Sequence, residues 1–208
     1  MKERSVYTAP RPSLYSLTIL ANYTVNAIQS ANGTMTLDDL KNYRVSIRKP
    51  IEITYRGYKL FSTGAPSGGS VALSILKIIE GYDMSDPSTI NLNLHRLDEA
   101  MRFAYGARAE LGDPAFFNYM DDFEAAMLKP TTAEEIRRRI LDDRTQDVKA
   151  YDPKGYLLPE SHGTSHIVTA DASGMTITLT STVNLLFGSR VVVPETGKPL
   201  LTLVLHDN

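Results

Sequence analysis

The chain has 208 residues, 42% hydrophobic and 22% charged, an ordinary globular composition with enough length to bury a proper core. A formal net charge of -2 and a pI near 6.1 exclude the basic excess of a nucleic-acid binder. The absence of cysteine removes disulfides, thiolate catalysis and Cys-ligated zinc, and the histidines His95, His162, His166 and His206 have no HxxxH-type spacing for a metal.

The opening stretch "MKERSVYTAPRPSLYSL" has no apolar run of signal-peptide quality before Pro10 and Pro12. Nothing in the chain approaches the ~20 apolar residues of a membrane-crossing helix. Apolar steps at Leu14, Leu17, Leu20, Ala21, Val25 and Ile28 predict an amphipathic helix over 13–31, ended by Asn32 to Thr34. A short helix capped by Thr36, with acidic residues in its first turn, follows. "PIEITYRGYKLFST" alternates apolar and polar around Arg56-Gly57 and predicts a β-hairpin.

The loop "GAPSGGS" then feeds a helix that buries Val71, Leu73, Leu76, Ile78 and Ile79. A longer helix places Leu94, Leu97, Met101, Ala104, Tyr105 and Leu111 on one face and is ended by Gly112 and Pro114. "TTAEEIRRRILDD" predicts another, with Thr131 and Glu134 as a capping box. Residues 145–163 carry Pro153 and Pro159 and little periodicity, which predicts a linker or exposed loop. Beyond it the period changes to two. "SHIVTAD", the turn "ASG" and "MTITLTST" form a hairpin, with Met175, Ile177 and Leu179 on one face and Thr176, Thr178, Thr180 and Thr182 on the other.

Several features invite a chemical reading. The Gly64–Ser70 loop could hold an anion at a helix N-terminus, but no Lys follows the glycines, and a structural turn is the favoured reading. Arg137 to Arg139 are nearly balanced by neighbouring acids and read as a solvated helix face. Asp121, Asp122 and Glu124 receive no catalytic role, because adjacent helical residues do not face one another. His166 lies two residues past Thr164, so the pair shares a face in an extended strand, and a locally packed histidine is favoured over a general base. Thr164 follows Gly163 and opens a strand. A threonine at a chain's N-terminus can pass its hydroxyl proton to its own α-amine, of pKa near ~8. The loop–Gly–Thr–strand layout therefore fits a precursor cut before Thr164 by that residue's own hydroxyl.

From roughly Leu37 to Gly197 the chain resembles the γ-glutamyltransferases, also called glutathione hydrolases. Four stretches in the right order carry the resemblance: "YRGYKLFSTGAPSGGSVALSILKIIEGYD", "RFAYGARAELGDPAF", "GTSHIVTADASGMTITLTSTVNLLFGS" and "VVVPETG". The resemblance implies an N-terminal-nucleophile hydrolase. The fold class is then α+β, part of a four-layer αββα sandwich incomplete at both ends. Residues 1–163 would be the C-terminal part of a large subunit, mostly helical with a β-hairpin. Residues 164–208 would be the start of a small subunit, and both would come from one precursor. It implies Thr164 as the nucleophile, Thr182 as the second threonine that hydrogen-bonds it, and Asn184 as a contact for the donor's α-amino end. Strand alternation would put Thr182 and Asn184 on one face if the strand continues.

The implied substrates are glutathione or other γ-glutamyl compounds, with water, an amino acid or a dipeptide as acceptor. No metal or organic cofactor, nucleic-acid partner or membrane segment is implied. Past Gly197, "KPLLTLVLHDN" departs from the family pattern, and a later Ser-Ser pair and Gly-Gly oxyanion element have no counterpart. The family's α-carboxylate-gripping arginine, which precedes the matched region, is also missing. A truncated, non-catalytic family fragment is accordingly the alternative expectation, and an amidase related to the cephalosporin acylases is a third. The location of the protein is not legible.

Overall fold

The computed structural model describes residues 14–156 and 164–200, with side chains from residue 18 onward. In chain order the elements begin with α1 (Leu14–Ser30), α2 (Leu37–Asn42), β1 (Ile51–Tyr55), β2 (Tyr58–Ser62) and α3 (Gly69–Ile79). After a 3₁₀ turn at Pro87–Thr89 come α4 (Ile90–Arg108), α5 (Met120–Met127), α6 (Pro130–Arg139) and α7 (Val148–Tyr151). The last four are β3 (Ser165–Ala170), β4 (Thr176–Ser181), β5 (Val192–Val193) and β6 (Lys198–Pro199). The class is α+β. The described strands pair as three antiparallel two-stranded ladders, β1-β2, β3-β4 and β5-β6. They fall into two compact units, residues 46–159 and the segments on either side of them.

The central unit is helical and carries one hairpin. Arg56 and Gly57 both take left-handed backbone angles (φ 47° and 85°), the geometry a two-residue hairpin turn demands. The register it sets runs from Ile51 opposite Ser62 to Tyr55 opposite Tyr58. Ile78, Ile79, Ala100, Phe103, Ala133, Ile140 and Tyr151 form the core. Each large side chain buried there contributes about 1.5–3 kcal/mol relative to exposure.

The α4 face follows the sequence expectation at Leu97, Ala104 and Leu111, which lie in or against the core clusters, and differs elsewhere. Asn93, Glu99, Ala100, Phe103, Ala104 and Gly106 are buried, whereas Leu94, Met101 and Tyr105 are exposed. Polar Asn93 and Glu99 are drawn inward by partners: Asn93 Nδ2 donates to the Asp83 carbonyl at 2.9 Å, and Glu99 receives the Tyr151 hydroxyl. Nor do Gly112 and Pro114 end this helix. It closes at Arg108 as Glu110 and Leu111 tighten to three-residue hydrogen bonds on Ala107 and Arg108.

The expected Thr131 capping box is also replaced. The helix boundary lies two residues earlier, with Lys129 at the N-cap and Pro130 at a position suited to its fixed φ, and no side chain caps it. The chain leaves the helix at Ile140, which frees Asp142 to pair with Arg96.

Residues 145–156 are not a plain linker. Tyr151 is buried; its Oη lies 2.8 and 2.9 Å from the two Glu99 oxygens and accepts from the Gln146 N–H at 2.7 Å. Its ring meets Phe103 edge-on at 4.8 Å. Gly106 makes this docking possible, since a Cβ there would lie 1.9 Å from the Tyr151 carbonyl oxygen. Residues 157–163, the rest of the expected linker, lie outside the described residues.

In the other unit α1 touches α2 and β5, with Val25 and Val193 buried. The Thr36 cap is present as expected: its hydroxyl accepts from the Asp39 N–H, and Asp39 reciprocates on the Thr36 N–H at 2.7 Å. Hydrogen bonds from the Thr36 hydroxyl and N–H hold the Asp39 carboxyl below its ordinary value.

Candidate active site

The β3–β4 hairpin carries the residues singled out for chemistry. Asp171 organises its tip, where Oδ1 accepts from the Ser173 N–H, the Ser173 hydroxyl and the Met175 N–H at 2.8, 2.6 and 3.0 Å. The Ser173 hydroxyl first, then the Met175 N–H, hold this carboxyl below its ordinary value. Gly174 takes φ +83°, and the ladder runs back from Ala170 opposite Thr176 to Ser165 opposite Ser181.

Paired residues of an antiparallel ladder share a face. Ile167, Ile177 and Leu179 therefore lie on one face, while His166, Val168, Thr178 and Thr180 lie on the other. His166 Nδ1 is 2.8 Å from Thr180 Oγ1 directly across the ladder, the local partner expected for a packed histidine. Both faces are exposed, and Ile167, Ile177 and Leu179 each keep about 60% of their surface.

Thr164 stands one residue before the ladder's last pair and Thr182 one residue after it. The hairpin thus brings the two threonines to the same end, on opposite strands, and Thr164 is exposed there. Its junction with Gly163 falls partly outside the described residues.

The alternation expected between Thr182 and Asn184 does not occur, because β4 stops at Ser181. Asn184 instead turns left-handed (φ 70°), and its N–H donates to Thr182 Oγ1 at 2.9 Å. The two residues are therefore joined by a local side-chain turn of the kind hydroxyls make with backbone N–H groups.

A second feature was not legible in the spacing. Asn184, Phe187, Gly188 and Arg190 all have positive φ. For a bulky residue such as Phe187 this is a real outlier, costing on the order of 1–3 kcal/mol and held only by its surroundings. The hold is visible: the Leu200 carbonyl accepts from the Ser189 N–H at 3.0 Å, and the Leu200 N–H donates to Val191 at 2.9 Å. Gly188 is required, since a Cβ there would lie 2.3 Å from the Leu200 oxygen. The signal was the "NLLFGS" stretch itself, whose asparagine and glycine tolerate left-handed angles.

The Gly64–Ser70 loop is structural in detail. Its Ala65 N–H is taken by the buried Glu124 carboxyl at 2.8 Å, and Gly69 sits where a Cβ would strike the Thr63 carbonyl. Glu124, given no catalytic role, is the residue that pins this loop. Among the described residues no three His, Asp or Glu side chains converge as metal ligands, and no helix is long and apolar enough to cross a membrane.

The family model for gamma-glutamyltranspeptidase matches residues 5–201. The chain belongs to the gamma-glutamyltranspeptidase family. Within it, the chain is 53% identical over 181 residues to the glutathione hydrolase proenzyme of Arthroderma benhamiae, covering 86% of this chain and 31% of that protein. It is 43% identical over 179 residues to the glutathione hydrolase of Aspergillus flavus, covering 86% and 30%. The chain thus spans about a third of the length of these curated relatives.

Two solved structures are similar to this member of the family. Cephalosporin acylase from Bacillus halodurans matches with a TM-score of 0.67 and 29% identity, over 88% of this chain and 32% of that one. The gamma-glutamyltranspeptidase of Helicobacter pylori matches with a TM-score of 0.58 and 30% identity, over 69% and 41%.

Proposed function

We propose that this chain is the portion of a γ-glutamyltransferase and glutathione hydrolase that spans the junction between its two subunits. Residues 1–163 are the end of the large subunit and residues 164–208 the start of the small one, within an αββα sandwich. The Thr164 hydroxyl attacks the Gly163 carbonyl carbon, the peptide C–N bond breaks, and the acyl group passes to oxygen. Water then hydrolyses the ester, leaving a Gly163 carboxylate and a free Thr164 α-amine. That amine, of pKa near ~8, receives the hydroxyl proton when Thr164 attacks a γ-glutamyl amide. The amide C–N bond breaks as that proton passes on to the departing amine, and a γ-glutamyl ester forms on Thr164. Water or the amine of an amino acid or dipeptide then attacks the ester and frees the Thr164 hydroxyl.

The observation that carries the reading is the hairpin end, where Thr164 and Thr182 flank the Ser165–Ser181 pair and Asn184 is hydrogen-bonded to Thr182. The "glutathione hydrolase" names of the relatives support the substrate class. The similarity to cephalosporin acylase favours a second reading, in which the same nucleophile serves a different acyl pocket.

The test is the intact mass of freshly expressed chain, followed by turnover of a chromogenic γ-glutamyl anilide and of a cephalosporin side-chain amide. Two products divided between Gly163 and Thr164, absent in Thr164→Ala, are expected, with turnover of the anilide. Cleavage that persists in Thr164→Ala, or an uncut wild-type chain, overturns the self-cleavage. Turnover of the cephalosporin amide alone selects the second reading.

A further inference from the structure

The sequence holds two Asn-x-Thr triplets, Asn22-Tyr23-Thr24 and Asn32-Gly33-Thr34. Asn-x-Ser/Thr is the acceptor pattern for N-linked glycosylation, which places a bulky, hydrophilic group on the surface. The two triplets have the same chemistry and opposite settings.

Asn22 lies inside α1 and its acceptor atom is engaged: Nδ2 donates to the Thr18 carbonyl at 2.9 Å. The Thr24 hydroxyl is engaged as well, donating to the Leu20 carbonyl at 2.8 Å. Both side chains are half-buried. Helical residues two apart do not face each other, so the hydroxyl cannot approach the amide while α1 is formed.

Asn32 sits just past the end of the same helix. Its N–H donates to the Gln29 carbonyl at 3.0 Å, and the Gly33 N–H reaches back to Ile28 at 2.8 Å. With Asn32 at φ 63°, this is a left-handed helix terminus closed by two backbone bonds. The backbone alone closes this terminus, so the Asn32 side chain is left for solvent and is exposed. Gly33 is set by packing, because a Cβ would lie 2.4 Å from Ile28 Cγ2. Thr34 is exposed and non-helical, so its hydroxyl is free of the constraint that holds Thr24.

We infer that Asn32 is an acceptor for an N-linked oligosaccharide and that Asn22 is not. In the transfer, Asn32 Nδ2 bonds to the anomeric carbon of a lipid-pyrophosphate-linked oligosaccharide. The anomeric C–O bond breaks, the lipid pyrophosphate leaves with its electron pair, and Nδ2 gives one proton to the host transferase. A capping role alone would also explain asparagine at a left-handed position. Thr34 separates the two roles, since the terminus depends on residues 32 and 33 while the transfer needs the hydroxyl at 34.

The experiment directs the 208-residue chain into the secretory lumen of a yeast cell with an appended signal peptide, beside a reporter glycoprotein that the cell modifies. Intact mass is read before and after peptide-N-glycosidase treatment in heavy-oxygen water, and the label is mapped. One oligosaccharide, with the label at position 32, is expected. Thr34→Ala should lose it while melting as wild type does, and Thr24→Ala should keep it. An unmodified chain beside a modified reporter overturns the inference, as does an oligosaccharide at Asn22.

Discussion

Removing one oxygen atom at Tyr151 should cost the central unit much of its margin. In Tyr151→Phe the ring and its edge contact with Phe103 survive, but the Gln146 N–H loses its acceptor and the Glu99 carboxyl its donor. Glu99 has no solvent exposure to fall back on, and Arg102 lies 3.8 Å from its Oε1. A hydrogen bond to a charged group is worth about 1.5–3 kcal/mol and a neutral one about 1 kcal/mol, and Arg102 recovers part of the loss. A destabilisation of about 2–3 kcal/mol follows, a drop of roughly 10 °C in Tm for a unit of this size. Thermal and urea unfolding of wild type, Tyr151→Phe, Glu99→Gln and the double variant measure it, and the two single effects should fall well short of adding. Burial, with Glu99 beside it, raises the phenol above its ordinary value. Its contribution is therefore fully present below about pH 10 and fades only as pH rises through the raised value. A Tyr151→Phe protein within about 0.5 kcal/mol of wild type at neutral pH would refute the reasoning.

Two further outcomes are expected in the hairpin unit. Gly188→Ala combines a left-handed residue, about 1–2 kcal/mol for an L side chain, with a Cβ that displaces the Leu200 carbonyl. Amide exchange at Ser189 should speed up, and unchanged protection there would count against the assigned packing. Asp171→Asn should loosen the β3–β4 tip at neutral pH and have little effect in acid. The lowered carboxyl contributes above its ordinary value near 3.8 and loses that contribution as pH falls through the lowered one. Backbone NMR shifts at the turn check both arms, and an effect of equal size in acid contradicts the assignment.

Elements whose cause is local could be read from the chain. The Arg56-Gly57 turn needed two left-handed residues and had an arginine and a glycine at the right spacing, so the β1–β2 hairpin was legible, as was the Thr36–Asp39 cap. Elements whose cause is distant could not. α7 is four residues of a polar, proline-flanked stretch, and it exists because Tyr151 fits against Glu99 and Gly106, more than forty positions away. The same contact accompanies the burial of Glu99, so that the buried side of α4 keeps Leu97 and Ala104 but leaves Leu94 and Met101 outside. At the candidate site, Thr164 and Thr182 were singled out through the family's motif, which leaves their role a proposal. Their shared end of the hairpin follows from the register, whereas the turn at Asn184 depends on a hydroxyl–backbone bond that no strand pattern encodes.

The tip around Asp171 acts as the zero mark of a ruler whose far end is the pair of threonines. Six residues of strand, about 20 Å, separate the two. A slip of one residue would turn Ile177 and Leu179 to the opposite side, so it is resisted wherever that side is covered. A slip of two would leave every side chain on its proper side and would set Thr164 across from Thr180 instead. Apolar surface cannot detect that error; only the count of residues through the tip can. Insertions or deletions of two residues between Asp171 and Met175 should thus change which hydroxyls meet, at a distance, while leaving the composition of both sides intact.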